Sequence, residues 1–173
     1  MRNILIIGAG RSATSLIKYL LDKSEKEDLF ITIGDLSIES AQKFCNGHPN
    51  AKGIKLDVFD APQRSQAIKS SDLVISMLPA RFHIEVAKDC ILYKKHLVTA
   101  SYVSDEMQAL DEDAKANGLV FMNEIGVDPG IDHMSAMQVI DRIRDAGGII
   151  LMFESFTGGL IAPESDDNLW HYK

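Results

Sequence analysis

The chain has 173 residues, 46% of them apolar and 25% charged, enough for one sizeable core or for one domain and part of another. Its net charge of −7 offers no basic face to a phosphate backbone, which argues against nucleic acid as a partner. No run approaches the roughly 18 apolar residues of a membrane span, and Ile4–Ile7 is too short for a signal-peptide core. Two widely spaced cysteines, Cys45 and Cys90, fit reduced thiols in a cytoplasmic protein.

Short apolar runs alternate with amphipathic stretches along most of the chain. Strands are predicted at residues 3–7, 30–34, 53–56, 73–77, 97–100 and 119–122, each apolar enough to be covered on both faces. Helices are predicted between them at 12–23, 37–45, 61–69, 84–93 and 105–117, with a further one at 131–146. Ser104 supplies a capped start for the fifth and Asn117-Gly118 its stop. This alternation predicts an α/β fold, a doubly wound parallel sheet forming a Rossmann-like dinucleotide-binding domain over residues 1–148. After Gly147-Gly148 the rhythm changes, and Ile149–Phe156 reads as a new strand. Residues 149–173 are therefore expected to be the first strand and loop of a second, incomplete α/β domain. A lone apolar strand would expose unpaired backbone groups and invite pairing either with another copy, as a homo-oligomer, or with the missing segment of the second domain.

Gly8-x-Gly10-x-x-Ala13 sits between a predicted strand and a helix, the context that makes a glycine turn a dinucleotide motif. Gly8 permits the tight turn, Gly10 lets pyrophosphate approach the backbone, and Ala13 lets helix pack on strand. Asp35 follows strand two, about 20 residues on, where an acid bonds the ribose hydroxyls. It would repel a 2′-phosphate, and Leu36 stands where an NADP reader places arginine, so NAD is preferred to NADP. Asp57-Val58 either flank the adenine or form a plain turn. Leu78-Pro79 either cap the cofactor cleft or only end strand four.

The segment Asn123–Met134 carries carboxylates, glycines and a proline directly after an apolar strand. It delivers Asp128 to the same sheet edge as Ser101-Tyr102, where a tyrosine and a carboxylate can orient an amino-acid substrate or a water. Asp128-Pro129 also reads as cap and first turn of the following helix, so Asp128 either caps only or caps and meets substrate. Glu124 is most simply an exposed strand-end acid, and His133 a capping or packing histidine. His83-x-Glu85 with Cys90 lacks the partner cysteines of a zinc deaminase, so no metal is expected. No nucleophile elbow occurs.

An ordered series of motifs resembles one family. Gly8-Ala9-Gly10, Leu73 through Pro79, Thr99 through Ser104, Asn123 through His133, Phe153 through Leu160 and Ala162-Pro163-Glu164 are similar to the N-terminal part of glutamate-forming saccharopine dehydrogenases (saccharopine reductases). Members of that family are longer, so the chain resembles a fragment. The resemblance implies an NAD(P)-dependent oxidoreductase of lysine metabolism that moves hydride at the secondary amine C–N bond of saccharopine. It implies cofactor contacts at Gly8, Gly10, Arg11, Ser12, Ala13, Asp35, Leu36, Asp57, Val58, Leu78, Thr99, Ala100, Pro129 and Gly130. It further implies saccharopine contacts at Ser101 and Tyr102, with Tyr102, Asp128 and Thr157 around the reacting bond. Thr157 replaces a cysteine of the relatives, and Asp35-Leu36 a Cys-Arg type pair of NADP-dependent fungal members. Leu169 and His171 replace a proline and a glycine. Two other readings stay open: a dinucleotide-binding or redox-sensing module without catalysis, and a related reductase of polyamine precursors.

Overall fold

The computed structural model describes residues 1–156 together with 158 and 164. It divides into two compact units, Met1–Met134 and Ser135–Lys173. The first is built on six parallel strands: β1 (Arg2–Ile7), β2 (Leu29–Asp35), β3 (Ala51–Lys55), β4 (Leu73–Ser76), β5 (His96–Thr99) and β6 (Phe121–Met122). Their spatial order is β3-β2-β1-β4-β5-β6, the order of the doubly wound dinucleotide-binding sheet. Register runs from Ile4 opposite both Ile31 and Leu73 to Ile7 opposite Gly34 and Ser76.

Alternation along each strand sends successive side chains to opposite faces. Ile4 and Ile6 of β1, with Ile31, Ile33 and Ile75, pack against α1 (Thr14–Ser24) and α2 (Ile38–Cys45). Leu5 and Ile7, with Val74 and Leu97, pack on the other face against α3 (Ala61–Lys69) and α4 (His83–Leu92). Ile6, Ile31, Ile33, Val74 and Leu97 are wholly buried, and burial of each stabilises by roughly 1.5–3 kcal/mol. Two cores on one sheet explain why the strands read as unbroken apolar runs.

Two expectations are corrected. The single helix predicted at 105–117 is two, α5 (Asp105–Gln108) and α6 (Asp111–Ala116). Leu110 N–H bonds the Met107 carbonyl three residues back, at 3.1 Å. This tightened turn lets Met107, Leu110 and Ala114 all reach the core. The second correction concerns residues 149–156, which form no strand among the described residues. Composition there favours a strand, but a strand exists only through a paired neighbour. Ile149, Leu151 and Phe156 are at least 84% exposed.

None of the residues of the helix α7 (Ile131–Asp145) is buried. Bonds from Gly147 N–H to the Arg144 carbonyl and from Gly148 N–H to the Ile143 carbonyl close its end.

Candidate dinucleotide-binding and catalytic site

All strands of a parallel sheet end on one edge, and here the order reverses between β1 and β4. Open α/β sheets bind ligands at such a switch point. The turn after β1 fills it. Gly8 has φ +103°, and a Cβ there would lie 3.1 Å from the Met77 carbonyl oxygen, so both backbone and neighbour demand glycine. Gly10 has extended backbone and heads a short 3₁₀ turn, Arg11–Ala13, leading into α1. A Cβ at Gly10 would meet nothing within 4 Å. That open space is a place where a phosphate can reach backbone N–H groups at a helix start. Arg11 and Ser12 are exposed beside it, while Ala13 is fully buried between helix and sheet.

Asp35, at the end of β2, meets this turn directly. Its Oδ2 accepts from Ala9 N–H at 2.7 Å and its Oδ1 from Ser37 N–H at 3.0 Å. Ser37 in turn caps α2 by accepting from Ser40 N–H. Leu36 is 63% exposed beside the carboxylate. Glu39, in the first turn of α2, has a pKa held below the usual carboxylate value by its backbone hydrogen bond and by Ser37.

Beyond β3, Asp57 Oδ1 accepts from Phe59 N–H at 2.9 Å, and Val58 is buried in the second core. Arg64, 6% exposed, anchors this turn by donating to the Val58 carbonyl at 2.5 Å and to Asp89 at 2.9 Å. Asp57 therefore lies in a well-braced turn, and Val58 belongs to its frame. Leu78 is half-buried against the same core, and Pro79 precedes the turn Ala80–Phe82.

The far end of the edge holds a set of hydrogen-bonded polar side chains. Thr99 is buried and donates to Asn123 Oδ1 at 2.9 Å, joining the ends of β5 and β6. Ala100 lies against Gly126, where a Cβ would meet the Ala100 carbonyl at 2.6 Å. Tyr102 donates its hydroxyl proton to Asp128 Oδ1 at 2.5 Å. Asp128 does not cap α7 as its position beside Pro129 predicted. The first N–H groups of the helix bond the carbonyls of Gly126, Val127 and Gly130 instead, and Asp132 accepts from Gly130 N–H. Its carboxylate is thereby left for Tyr102. Pro129 and Gly130, next in sequence, are buried.

Glu124 is exposed yet tied to the neighbouring loop: its Oε1 accepts from Val103 N–H, and its N–H donates to the Ser101 carbonyl. His133 neither caps nor packs. It is exposed and faces Asp132 at 2.8 Å, which raises its pKa. Thr157 and residues 168–173 lie outside the described residues.

One functional group was missed by the motif reading. His83, considered only as a zinc decoy, is 3% exposed and lies between two hydroxyls, Ser76 Oγ at 2.8 Å and Ser101 Oγ at 2.9 Å. The available signal was Ser76 itself, a polar residue inside an apolar strand that must find a partner when buried.

Residues 4–122 match the family model described as the saccharopine dehydrogenase NADP binding domain. The chain belongs to the saccharopine dehydrogenase family. Residues 126–173 match the model of that family's C-terminal domain. The whole chain is 42% identical to an L-glutamate-forming, NADP(+)-named saccharopine dehydrogenase of Schizosaccharomyces pombe. Over 98% of its length it is 37% identical to an alpha-aminoadipic semialdehyde synthase of Arabidopsis thaliana, of which it covers 18%. The solved apo saccharopine dehydrogenase (L-Glu forming) of Saccharomyces cerevisiae superposes over the whole chain with a TM-score of 0.83 at 37% identity. The chain spans 38% of the length of the fission-yeast relative and of the solved structure. Family, sheet order and glycine turn together make the first unit an NAD(P)-binding domain.

Proposed function

We propose that this chain is the cofactor-binding part of a saccharopine dehydrogenase of the L-glutamate-forming type, an oxidoreductase of lysine metabolism. The reaction interconverts saccharopine with glutamate and 2-aminoadipate 6-semialdehyde. One observation carries the reading. The Tyr102–Asp128 hydrogen bond stands on the loops after β5 and β6 of a sheet whose β1 turn leaves open space at Gly10. A bound nicotinamide cofactor supplies or takes the hydride at the secondary-amine carbon. Gly8, Gly10, Arg11, Ser12 and Ala13 would hold its pyrophosphate, Asp35 and Leu36 its ribose, and Asp57 with Val58 its adenine side. Leu78, Thr99, Ala100, Pro129 and Gly130 would line its path along the strand ends.

Proton handling falls to the chain's own pair. The bond to Asp128, then burial and the charges of Asp128, Asp132 and Glu124, raise the Tyr102 pKa, so its phenol stays protonated. A neutral phenol donating to a carboxylate can pass a proton to or from the substrate nitrogen, or hold the water that does so. Ser101 and Tyr102 would contact saccharopine itself. Position 157 is a threonine where the resemblance puts a cysteine, so we assign the acid–base work to Tyr102 and Asp128. Separate burial of Cys45 and Cys90 in the two cores, both as free thiols, supports a reducing, cytoplasmic setting.

Within the NAD(P) class we place NAD(H) ahead of NADP(H), although the fungal relatives are named for NADP(+). The support is local: a carboxylate at Asp35, an exposed leucine rather than a cation at 36, and a second acid at Glu39. Titration with NADH and NADPH should give tighter binding of NADH, and Asp35→Ser with Leu36→Arg should shift the ratio about tenfold toward NADPH. Equal or tighter NADPH binding by the unaltered chain would overturn the preference. Saccharopine-dependent reduction of the cofactor by the protein as its gene encodes it tests the activity. Cofactor binding without such turnover would leave a binding or sensing module.

A further inference from the structure

Ser101, placed above at the substrate, ends a hydrogen-bonded chain whose other two members, Ser76 and His83, take no part in the steps above. Ser76, closing β4, is fully buried; His83, opening α4, is 3% exposed; Ser101, on the loop after β5, is partly exposed. His83 Nδ1 is 2.8 Å from Ser76 Oγ, and its Nε2 is 2.9 Å from Ser101 Oγ. Burial holds the imidazole below the usual histidine range, so near neutral pH it carries one N–H and one lone pair.

The protons of this chain can be ordered. Among the described residues the imidazole is the only side-chain partner of Ser76 Oγ. A wholly buried hydroxyl places its proton on an acceptor wherever one is in reach, and Nδ1 is the one in reach. Ser76 therefore donates to Nδ1, the ring proton sits on Nε2, and Nε2–H donates to Ser101 Oγ. The Ser101 oxygen is then an acceptor within the protein, and its own proton is aimed outward. Ser101 is the one member of the three that reaches the surface of the strand edge, next to Tyr102. Its backbone is fixed as well, because its carbonyl accepts from Glu124 N–H at 3.2 Å.

We propose that Ser76 and His83 are positioning residues that make Ser101 a committed hydrogen-bond donor toward a carboxylate oxygen of the bound substrate. The carboxylate rests on the saccharopine reading given above. A donor held this way meets an anion without first turning its hydroxyl, and hydrogen bonds to charged acceptors are the strong ones. One lone pair of Ser101 is already taken, so an amine or amide N–H is a poorer fit at the same place. The device discriminates the acid end of an amino-acid substrate from its nitrogen.

Two measurements test this. Long-range proton–nitrogen NMR of the 173-residue chain should find His83 protonated on Nε2 with a lone pair on Nδ1. A proton on Nδ1, or an averaged mixture of the two tautomers, would overturn the proposal. In saccharopine turnover by the protein as encoded, Ser101→Ala should raise the substrate KM by about tenfold or more with kcat and NADH binding nearly unchanged. Ser76→Ala should raise KM several-fold, and the double variant should be no worse than Ser101→Ala alone. Additive effects, or loss of NADH binding in Ser76→Ala, would mean a structural role and defeat the proposal. If the unaltered protein turns over no saccharopine, the functional reading fails, and the His83 tautomer by itself then decides whether Ser101 is a committed donor.

Discussion

The two ends of the sheet edge are built from different materials. At the β1–β2 end the working groups are backbone: a glycine with positive φ, a bare α-carbon at Gly10, the N–H groups opening the first helix, and one carboxylate that braces them. At the β5–β6 end the working groups are side chains, Thr99 with Asn123, Tyr102 with Asp128, and Ser101 with His83. A backbone site suits a ligand part shared by many proteins, because it needs shape and N–H groups and little else. A side-chain site suits a particular reaction, because pKa and proton position are side-chain properties.

Both ends stand on a common frame, and removing it should abolish the contrast. Arg64→Ala strands the Asp89 carboxylate and frees the Val58 turn, and loss of one partner of such a buried pair costs about 3–5 kcal/mol. Thermal and denaturant unfolding should register it, and an unchanged melting curve would contradict the frame. Asp128→Asn should cut turnover about a hundredfold or more while leaving stability and cofactor affinity close to those of the parent, since Asp128 caps no helix. Steady-state kinetics on the folded variant reads this; a drop in stability matching the drop in rate would restore the capping role.

The converse experiment is Gly10→Ala. Its Cβ has free space in the protein, so folding should be unaffected, yet NAD(P)H binding should weaken by about tenfold or more because the methyl takes the ligand's place. Calorimetry beside a melting curve separates the two, and unchanged affinity would move the pyrophosphate elsewhere. The smallest effect concerns His133. Its pKa is raised by the hydrogen bond and charge of Asp132, so the pair stabilises fully below the ordinary histidine range. That contribution is lost as pH rises through the raised value. Asp132→Asn should return the His133 titration, followed by NMR, toward its ordinary position.

The same division decides what could be read in advance. Strands β1 to β5 and the glycine turn were legible because apolar runs and φ requirements are written locally. The side-chain end was legible as a location, with Tyr102 and Asp128 brought to one edge, but not in its bonding. Asp-Pro before a helix carries a local capping signal, and only the tertiary position of Tyr102 redirects that carboxylate. Ser76, His83 and Ser101 are spread over three elements, so no spacing rule joins them. The break between Gln108 and Asp111 follows from packing against the second core, which a single helical period does not encode. Ile149–Phe156 has the composition of a strand, but pairing is a property of two segments and composition reports only one.

The bond from Ala9 N–H to Asp35 has a consequence for how cofactor preference can change over time. The residue we propose to discriminate between cofactors is also the strut that holds the glycine turn, so on that proposal the two traits are not free to vary separately. Replacing Asp35 by a side chain too short to span 2.7 Å leaves a buried N–H without its acceptor, at a cost of about 1–3 kcal/mol. A lineage moving from one nicotinamide cofactor to the other through this position must therefore first acquire another acceptor for Ala9, or tolerate a slacker loop and weaker binding of both cofactors on the way. The route is gated by a single hydrogen bond, and a surrogate acceptor near Ala9 is the change that opens it.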